Sequence, residues 1–334
     1  MVRDSIRWGI IGTSHISEVM ARAIEESSAG QLEAIGSRSK LTAQSFAEKF
    51  AVPHYYDNYQ AILDNPEIDV VYIGLPNHLH QEWIIRAALA GKHILCEKPL
   101  VMNVHELQEV ITITEESQVI CMEALMYRSH PLTQKIKEVI CNKSIGEVKL
   151  YNATYTANIA EIANPIAGGC IRNLGCYPIS LIRFLADAEP IEIKAMGRIN
   201  PGSNNDNQAS ILLKFENNAM AVVSTADDIE MYWQFDVYGT EGHLRVVTNP
   251  WLPTQDNNRL VLYRHNEPAL EIHVAAEASL YTYQIDLMNH MILNEDVLNS
   301  KRNLFIRELW NYFCFRNLAA TNKNAELMPR SSST

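Results

Sequence analysis

The first third of the chain alternates short apolar runs with segments of helical spacing, and this alternation most limits the folds available to it. Ile6–Thr13 is a short run rich in β-branched residues, and Ile16–Glu26 carries apolar residues at helical intervals. Val70–Leu75 is apolar throughout, which is typical of a strand buried on both faces. Strands separated by helices of roughly 10–15 residues indicate βαβ units and a parallel sheet. The same alternation predicts further elements at Leu32–Gly36, Leu41–Phe50, Gln81–Ala90, His93–Cys96, Val104–Ser117 and Gln118–Met122.

The pattern changes after about Glu123. A helix is predicted around Leu132–Cys141, and Val148–Thr156 alternates as a half-exposed strand does. That alternation recurs at short intervals and predicts an antiparallel sheet, with strands at Ser210–Phe215, Met220–Ser224, Trp233–Tyr238, Leu244–Val247 and Leu260–His265. Helical spacing returns at Tyr281–Ile292 and Leu304–Leu318. At about 100–200 residues per domain, the change predicts two domains, residues 1–122 and residues 123–334.

The chain is acidic, with 28 Lys and Arg residues against 39 Asp and Glu residues and a formal net charge of -11. Without a basic block it lacks the cations that replace phosphate counterions, so general nucleic-acid binding and binding to anionic membranes are disfavoured. No apolar run approaches the roughly 20 residues that span a bilayer, and no basic and apolar leader precedes the first strand. The six cysteines form no CxxC pair and are expected to be reduced thiols. Together these features predict a cytoplasmic protein.

The turn after the first strand has the character of a phosphate-binding turn. It reads Gly12-Thr13-Ser14-His15-Ile16-Ser17, with serines where the Rossmann dinucleotide fingerprint has Gly and Gly or Ala. Small residues at both positions still allow a pyrophosphate to approach the backbone and the helix to pack on the sheet. The amides at the helix N-terminus would then bind the anion. Gly12, Thr13, Ser14, His15 and Ile16 are therefore candidate cofactor contacts, and an ordinary strand–turn–helix is the alternative.

The end of the second predicted strand discriminates between the two nicotinamide cofactors. An acidic residue at this point would bind the ribose 2′-hydroxyl of NAD, but the segment Gly36-Ser37-Arg38-Ser39-Lys40 contains none. Arg38 could stack on adenine and pair with a 2′-phosphate, and Ser37 could donate to the same group. The segment therefore favours NADP(H), leaving NAD(H) possible, unless it is only a solvated surface turn.

Two further segments follow predicted parallel strands, where ligands of open α/β sheets bind. One contains Leu75, Pro76, Asn77 and His80, and the other is Glu97-Lys98-Pro99. With the glycine turn, these segments resemble the Gfo/Idh/MocA (glucose-fructose oxidoreductase / inositol dehydrogenase) family. That family carries a GxGxxG-like turn, a "TPN…H" segment after its fourth strand and an EKP motif after its fifth.

The resemblance continues into the second half of the chain. Glu123–Pro131, which includes Arg128, looks like the family's domain-joining "EAxxxRxxP" stretch. Gly168–Pro178 resembles its "GGGxLxDxGxYP" catalytic segment, and Tyr238–Gly242 resembles its "GTEG" turn. The dihydrodiol and xylose dehydrogenase branches look closest, because Tyr177 replaces the His of inositol dehydrogenases. The family implies an α/β protein, with an N-terminal Rossmann dinucleotide-binding domain and a C-terminal α+β domain built on a large, mostly antiparallel open sheet.

The activity that the family implies is hydride transfer between nicotinamide and a hydroxyl or carbonyl carbon of a sugar, cyclitol or dihydrodiol. Such a transfer needs a matched proton transfer at the oxygen, which Tyr177 can supply if the Lys98 ammonium lowers its pKa. Glu97 would hold the Lys98 side chain or contact the cofactor, and Lys98-Pro99 is a candidate cis peptide. His80 aligns with the family's histidine near the cofactor. Leu75, Pro76, Asn77, Glu97, Lys98 and Arg128 complete the expected cofactor contacts.

Asn173 stands where the family usually has an Asp that binds substrate hydroxyls and assists proton transfer. Asn keeps hydrogen-bonding capacity but cannot act as a base. Arg172 either points into the pocket, where it would attract an anionic substrate, or lies on a helix surface. The alternative function is a catalytically inactive nucleotide-binding regulator of the same fold. The histidine spacing predicts no metal site, and the family's open C-terminal sheet implies a homodimer or higher homo-oligomer.

Overall fold

A six-stranded parallel sheet forms the first half of the molecule, which is a computed structural model that describes residues 5–161 and 168–294. The strand order β3-β2-β1-β4-β5-β6 reverses direction between β1 and β4, next to the first strand of the chain. The strands are β1 (Ile6–Ile11), β2 (Gly30–Gly36), β3 (His54–Tyr56), β4 (Val70–Ile73), β5 (His93–Glu97) and β6 (Cys121–Ala124). All adjacent pairs are parallel, as the βα alternation predicts.

Helices connect these strands and cover the sheet. They are α1 (His15–Glu26), α2 (Lys40–Phe50), α3 (Gln60–Asp64), α4 (His80–Leu89) and α5 (Val104–Glu116), and a sixth helix, α6 (Pro131–Cys141), follows β6. The buried faces of α1 and α2 pack with β1, β2 and β4 in one core that contains Trp8, Ile10 and Tyr72. This burial explains why β4 is apolar at every position.

A helix from near the end of the described chain completes this core. Helix α8 (Thr282–Leu293) contributes Ile285 and Met288 to it. Asn289 on α8 is buried; its side-chain oxygen accepts from Trp8 Nε1 at 2.9 Å, and its amide nitrogen donates to Ser27 Oγ at 3.0 Å. The first compact unit is consequently discontinuous in sequence, since it combines residues 5–141, 247–260 and 271–294 of the described chain.

The second sheet has eight strands in the order β14-β13-β12-β11-β7-β10-β9-β8. The neighbours of β10 show its mixed character, because β10 is parallel to β7 and antiparallel to β9. The pairs β11–β12, β11–β7 and β8–β9 are antiparallel. The strands are β7 (Val148–Thr156), β8 (Pro190–Ile199), β9 (Asp206–Phe215), β10 (Met220–Ala226), β11 (Tyr232–Gly239), β12 (Gly242–Val246), β13 (Asn258–Arg264) and β14 (Leu270–Val274).

One helix packs against this sheet within the second unit. A π-helical turn at Ile171–Gly175 leads directly into α7 (Cys176–Ala186). Inward-facing residues of β7, β9 and β10, such as Ala153, Ile211 and Val223, are buried. On the opposite face of the sheet, Met196 of β8, Leu212 of β9 and Met220 of β10 are exposed. The sheet therefore has one covered and one open face, as an antiparallel sheet with alternating sequence should.

Sequence and structure agree closely where the signal is periodic. Val148–Thr156 is a strand with the predicted bounds, and the other predicted elements in the described residues are found with shifted ends. Helices α3 and α7 and strands β3, β8 and β14 were not predicted. Gly175 and Pro178 at the start of α7 resemble loop residues, and β8 lies at a sheet edge where most of its side chains are exposed. The helix predicted at Leu304–Leu318 lies outside the described residues. The boundary at residues 122–123 stays a prediction.

Candidate active site

The sequence motifs of the first unit meet along one edge of the parallel sheet. The glycine turn follows β1, the segment from Leu75 to His80 follows β4, and Lys98 follows β5. These three strands are neighbours in the sheet, so their carboxyl ends place the three segments side by side. The reversal of strand order between β1 and β4 is the point where open α/β sheets bind their ligands.

The glycine turn is shaped for close approach of a ligand to the backbone. Gly12 has a φ of +103°, and a Cβ there would lie 2.9 Å from the carbonyl oxygen of Gly74. Ser14 caps α1: its hydroxyl accepts from the amide of Ser17, and the Ser17 hydroxyl accepts from the amide of Ser14, both at 3.3 Å. Ser17 is fully buried, and a Cβ on Gly74 would lie 2.8 Å from its hydroxyl. Serine thus fills the position where the fingerprint has a small residue against the sheet.

The N-terminus of α1 fits a dinucleotide pyrophosphate. The capping box uses the amide of Ser17 and leaves the amides of His15 and Ile16, in the first turn, without an intrahelical acceptor. Such amides, with the positive end of the helix dipole, bind phosphate oxygens. Thr13 and Ser37 lie beside the turn with their hydroxyl oxygens 3.2 Å apart. Ser37 is buried, whereas Arg38 is exposed at the end of β2.

His80 connects the loops that follow β4 and β5. It is fully buried, with Nε2 2.8 Å from the carbonyl oxygen of Leu75 and Nδ1 2.8 Å from that of Pro99. Both oxygens can only accept, so a neutral ring donates to one of them and a charged ring to both. Burial lowers the pKa of His80, and the two carbonyl contacts oppose that effect. Within this unit His80 therefore links the two loops, because its ring contacts a backbone carbonyl in each. Pro76 and Asn77 lie beside it at the start of a short 3₁₀ turn.

Glu97 and Lys98 sit in a network that the sequence did not reveal. The Tyr72 hydroxyl donates to Glu97 Oε1 at 2.8 Å, and the Lys98 amide donates to Glu97 Oε2 at 3.2 Å. Burial raises the pKa of Glu97, and the Lys98 ammonium opposes the rise. Burial and Glu97 raise the pKa of Tyr72 well above its usual value and that of Tyr281 to about 12. The Lys98-Pro99 peptide is cis.

The segment after β6 carries Arg128 and two buried aromatic residues, Tyr127 and His130. Arg128 is half-buried in a 3₁₀ turn, and its carbonyl oxygen accepts from the Gln134 side chain at 2.8 Å. Trp251 is fully buried with its ring edge-to-face against Tyr127, which makes it a packed loop residue. His130 is also buried, and burial lowers its pKa to about 4.

The second unit carries the other predicted site residues on the π-helical turn and the start of α7. Asn173 is 9% exposed and donates from its side-chain amide to the carbonyl oxygen of Gly168 at 3.1 Å. Arg172 is 5% exposed and lies against Gly168, so it does not lie on a solvated helix surface. Tyr177 is half-buried, with its ring edge-to-face against Tyr155 at 5.6 Å between centroids.

Two carboxylates near this segment were missed by sequence reasoning. Asp206 Oδ2 accepts from the amide of Ile171 at 2.7 Å. Asp227 is 6% exposed, and burial together with Asp228 and Asp206 raises its pKa to about 6. Both lie at strand ends, distant in sequence from Ile171. No local spacing could therefore have linked them to the predicted segment.

Comparison with known proteins agrees with this architecture. A family model described as "Oxidoreductase family, NAD-binding Rossmann fold" matches residues 6–125. A model of the GFO/IDH/MocA C-terminal domain matches residues 133–245. The chain belongs to the Gfo/Idh/MocA oxidoreductase family. It is therefore an enzyme, an NAD(P)-dependent dehydrogenase or reductase, built on the predicted Rossmann domain and large mixed sheet.

Relatives within the Gfo/Idh/MocA family cover most of the chain. An uncharacterized oxidoreductase of Rhizobium meliloti is 33% identical over 97% of this chain and 98% of its own. A trans-1,2-dihydrobenzene-1,2-diol dehydrogenase of Danio rerio is 32% identical, covering 75% of this chain and 77% of its own. An NADP(+)-linked D-xylose 1-dehydrogenase of Haloferax volcanii is 32% identical over 71% and 74%. These are the branches that the sequence resembles.

Solved structures share the fold. A 3-ketoreductase from Actinomadura kijaniata, in complex with NADP and TDP-benzene, matches with a TM-score of 0.84 at 24% identity, covering 94% of this chain and 97% of that one. An aldose-aldose oxidoreductase from Caulobacter crescentus, complexed with glycerol, also gives 0.84, at 19% identity over 95% and 98%.

The described residues bear on three further expectations. In residues 5–161 and 168–294, no group of three or more His, Cys, Asp or Glu side chains could hold a metal ion. Among the helices of those same ranges, none has both the length and the apolar character needed to cross a bilayer. The cysteines that the structure describes, Cys96, Cys121, Cys141, Cys170 and Cys176, are free thiols.

Proposed function

We propose that the protein is an NADP(H)-dependent oxidoreductase that transfers a hydride between nicotinamide and a hydroxyl or carbonyl carbon of a sugar, cyclitol or dihydrodiol. The observation that carries the proposal is that Glu97 ends β5 and Lys98 follows it at the carboxyl edge of the parallel sheet, with Glu97 accepting from the Tyr72 hydroxyl and the Lys98 backbone amide. A lysine at this edge suits a reaction in which an oxygen atom gains negative charge, because the ammonium stabilises the charged form. The names of the relatives support substrates of this class.

The choice of NADP(H) rests on the end of β2. Arg38 is exposed beside the buried Ser37, and no acidic residue lies between Ser37 and Lys40. A guanidinium pairs with a phosphate dianion by charge-assisted hydrogen bonds, whereas a ribose 2′-hydroxyl offers it no negative charge. Gly12, Thr13, Ser14, His15 and Ile16 would hold the pyrophosphate. Leu75, Pro76, Asn77 and His80 would line the nicotinamide side with Glu97, Lys98 and Arg128.

When bound, the nicotinamide ring accepts or releases the hydride, and the protein has to move the accompanying proton. In our proposal Tyr177 takes the proton from the substrate hydroxyl at its phenol oxygen. The Lys98 ammonium stabilises the phenolate form, because a nearby cation lowers a phenol pKa. Glu97 accepts from the Tyr72 hydroxyl and from the Lys98 backbone amide, and in our proposal it fixes the backbone from which the Lys98 side chain extends.

Asn173 and Arg172 complete the proposed substrate site. Asn173 can donate to or accept from substrate hydroxyls but carries no charge. Arg172 supplies a cation that favours substrates with an anionic group. We further propose that the chain is a cytoplasmic homodimer or higher homo-oligomer associating through the open face of its large sheet.

The decisive experiment is a screen of sugars, polyols and dihydrodiols for NADP⁺ reduction by the purified protein. With the best substrate, Lys98→Met and Tyr177→Phe should each abolish turnover. NADPH affinity in Lys98→Met should stay within about tenfold, or about 1.4 kcal/mol, since the phosphate and adenine ends supply most of the binding. Tyr55→Phe, at an exposed tyrosine on β3, is the control and should retain activity. Turnover in Lys98→Met would remove this lysine from the mechanism.

A further inference from the structure

Asp206 contacts the start of the segment that bears Asn173 and Tyr177. It is the first residue of β9, more than thirty positions along the chain from that segment. Its Oδ2 atom accepts from the amide of Ile171 at 2.7 Å and from Cys170 Sγ at 3.3 Å. One carboxylate oxygen thus binds two consecutive residues at the point where the π-helical turn begins.

The backbone of Gly169 packs closely against Asp206 beside this contact. A Cβ on Gly169 would overlap both the backbone oxygen and the carboxylate of Asp206, so glycine is required there. The carbonyl oxygen of Gly169 then accepts from the amides of Arg172 and Asn173, both at 3.1 Å. Asp206 consequently acts as a helix cap supplied by a distant strand, satisfying an amide that the helix itself cannot. Its negative charge is also favourable at a helix N-terminus.

We propose that Asp206 is a positioning residue for the reaction, acting through the first turn of this segment. The proposal rests on the proposed function, because it gives Asp206 a role only through Asn173 and Tyr177. The segment is held at two places: Asp206 binds its start, and the ring of Tyr155 packs against Tyr177. The π-helical turn, a form often found at functional sites, lies between them.

Substitution of the neighbouring Asp228 distinguishes the effect of the Ile171 contact from a general effect of negative charge. Asp228 belongs to the same acidic group, but its Oδ2 atom binds Arg198 and the side-chain amide of Asn207. Asp228→Asn therefore removes one charge from the group and leaves the Ile171 contact in place. Asp206→Asn removes the same charge and retains an oxygen that can accept from Ile171, whereas Asp206→Ala removes both.

The test uses the full-length protein with NADPH bound and measures hydrogen–deuterium exchange of residues 168–177, melting temperature, and kcat and KM for the best substrate of the screen. In Asp206→Ala we expect exchange at residues 171–173 to accelerate at least tenfold, with the melting temperature and NADPH affinity little changed. We expect kcat to fall about 10- to 100-fold, since small displacements of reacting groups have effects of this size. In Asp206→Asn, exchange at residues 171–173 and kcat should both be close to wild type. Asp228→Asn should match the wild type in both.

Several results would overturn the proposal. One is that exchange or kcat is unchanged in Asp206→Ala. Another is that exchange in Asp206→Ala accelerates throughout the protein and the melting temperature falls. A third is that Asp228→Asn loses as much kcat as Asp206→Ala. Failure of the proposed function looks different: Tyr177→Phe would then retain full turnover. If Tyr177→Phe is inactive and Asp206→Ala is fully active, only the role of Asp206 is refuted.

Discussion

The surroundings of single residues at the edge of the parallel sheet could not be predicted from their motifs. The EKP motif identified Lys98, but the hydroxyl of Tyr72 that fixes Glu97 comes from a neighbouring strand. Arg38 differs from these buried groups, because it is exposed and free of the packing that determines Glu97. Its contribution should therefore be separable by substitution without loss of the fold.

Arg38→Ala should weaken binding of NADPH far more than binding of NADH. Only the former carries a 2′-phosphate for the guanidinium to pair with, and charge-assisted hydrogen bonds are the strong ones. Fluorescence titration with both cofactors measures the ratio. Lys49→Ala removes another cation, in the last turn of α2 and paired with Glu18, and should leave the ratio unchanged. Equal losses for both cofactors in Arg38→Ala would show that Arg38 stacks on adenine or lies outside the site.

Asp227 gives the fold a pH dependence of predictable sign. Its pKa is raised to about 6 in the folded protein, above the unfolded value of about 4. Its stabilising contribution is thus complete below about pH 4 and is lost as the pH rises through about 6. Asp227→Asn, which resembles the protonated form, should raise the melting temperature by at least about 2 °C at pH 8, in line with roughly 2–4 °C per kcal/mol.

The same substitution should have a much smaller effect at pH 5, where Asp227 is largely protonated. Calorimetry at the two pH values measures the difference, and Asp57→Asn, at an exposed carboxylate, serves as the control. A larger stabilisation at pH 5 than at pH 8 would contradict the assigned direction.

At the scale of elements, the sequence predicts what is local and periodic. The βα alternation placed β1, β4 and β5, and with them the segments proposed to hold the cofactor, because ligands bind where parallel strands end. Helix α7 was missed, since its start contains Pro178 and follows a π-helical turn. The contact from Asp206 to Ile171 joins two elements distant in the chain, and no spacing rule encodes it. Such contacts depend on tertiary packing.

Helix α8 offers a test of one such long-range contact. Asn289→Leu removes the acceptor of the Trp8 indole N–H and the donor to the Ser27 hydroxyl, both in buried surroundings. We expect a loss of about 1–3 kcal/mol in the free energy of unfolding, the usual cost of unpaired buried polar groups. Urea unfolding followed by fluorescence measures it. His290→Ala, on the exposed side of the same helix, should cost much less. Comparable losses in the two variants would show that the Trp8 contact adds nothing.

For the molecule as a whole, the open face of the eight-stranded sheet is the outstanding surface. Met196, Leu212 and Met220 are exposed there on three adjacent strands, β8, β9 and β10. Exposed apolar patches on a sheet are typical of association sites. A second copy of the chain is the occupant that the family resemblance implies.

Leu212→Glu combined with Met220→Glu should convert the wild-type oligomer to a species of 37.8 kDa, the mass of one chain. Charges placed on both copies would be buried together without partners, which is costly. Light scattering after size-exclusion chromatography measures the mass. Leu89→Glu, at an exposed leucine of α4, should leave the oligomer intact. A wild-type protein that is already monomeric would refute the proposed assembly.

The placement of α8 also bears on how the protein is made. The strands that α8 covers are complete by Ala124, yet Asn289 and Met288 are synthesised much later. Ribosomes add about 5–20 residues per second, so about 165 residues of further translation delay this helix by about 8–33 s. During that interval the nascent Rossmann domain displays the face around Trp8 and Ile24 to its surroundings, and a chaperone that recognises apolar surface has time to bind it.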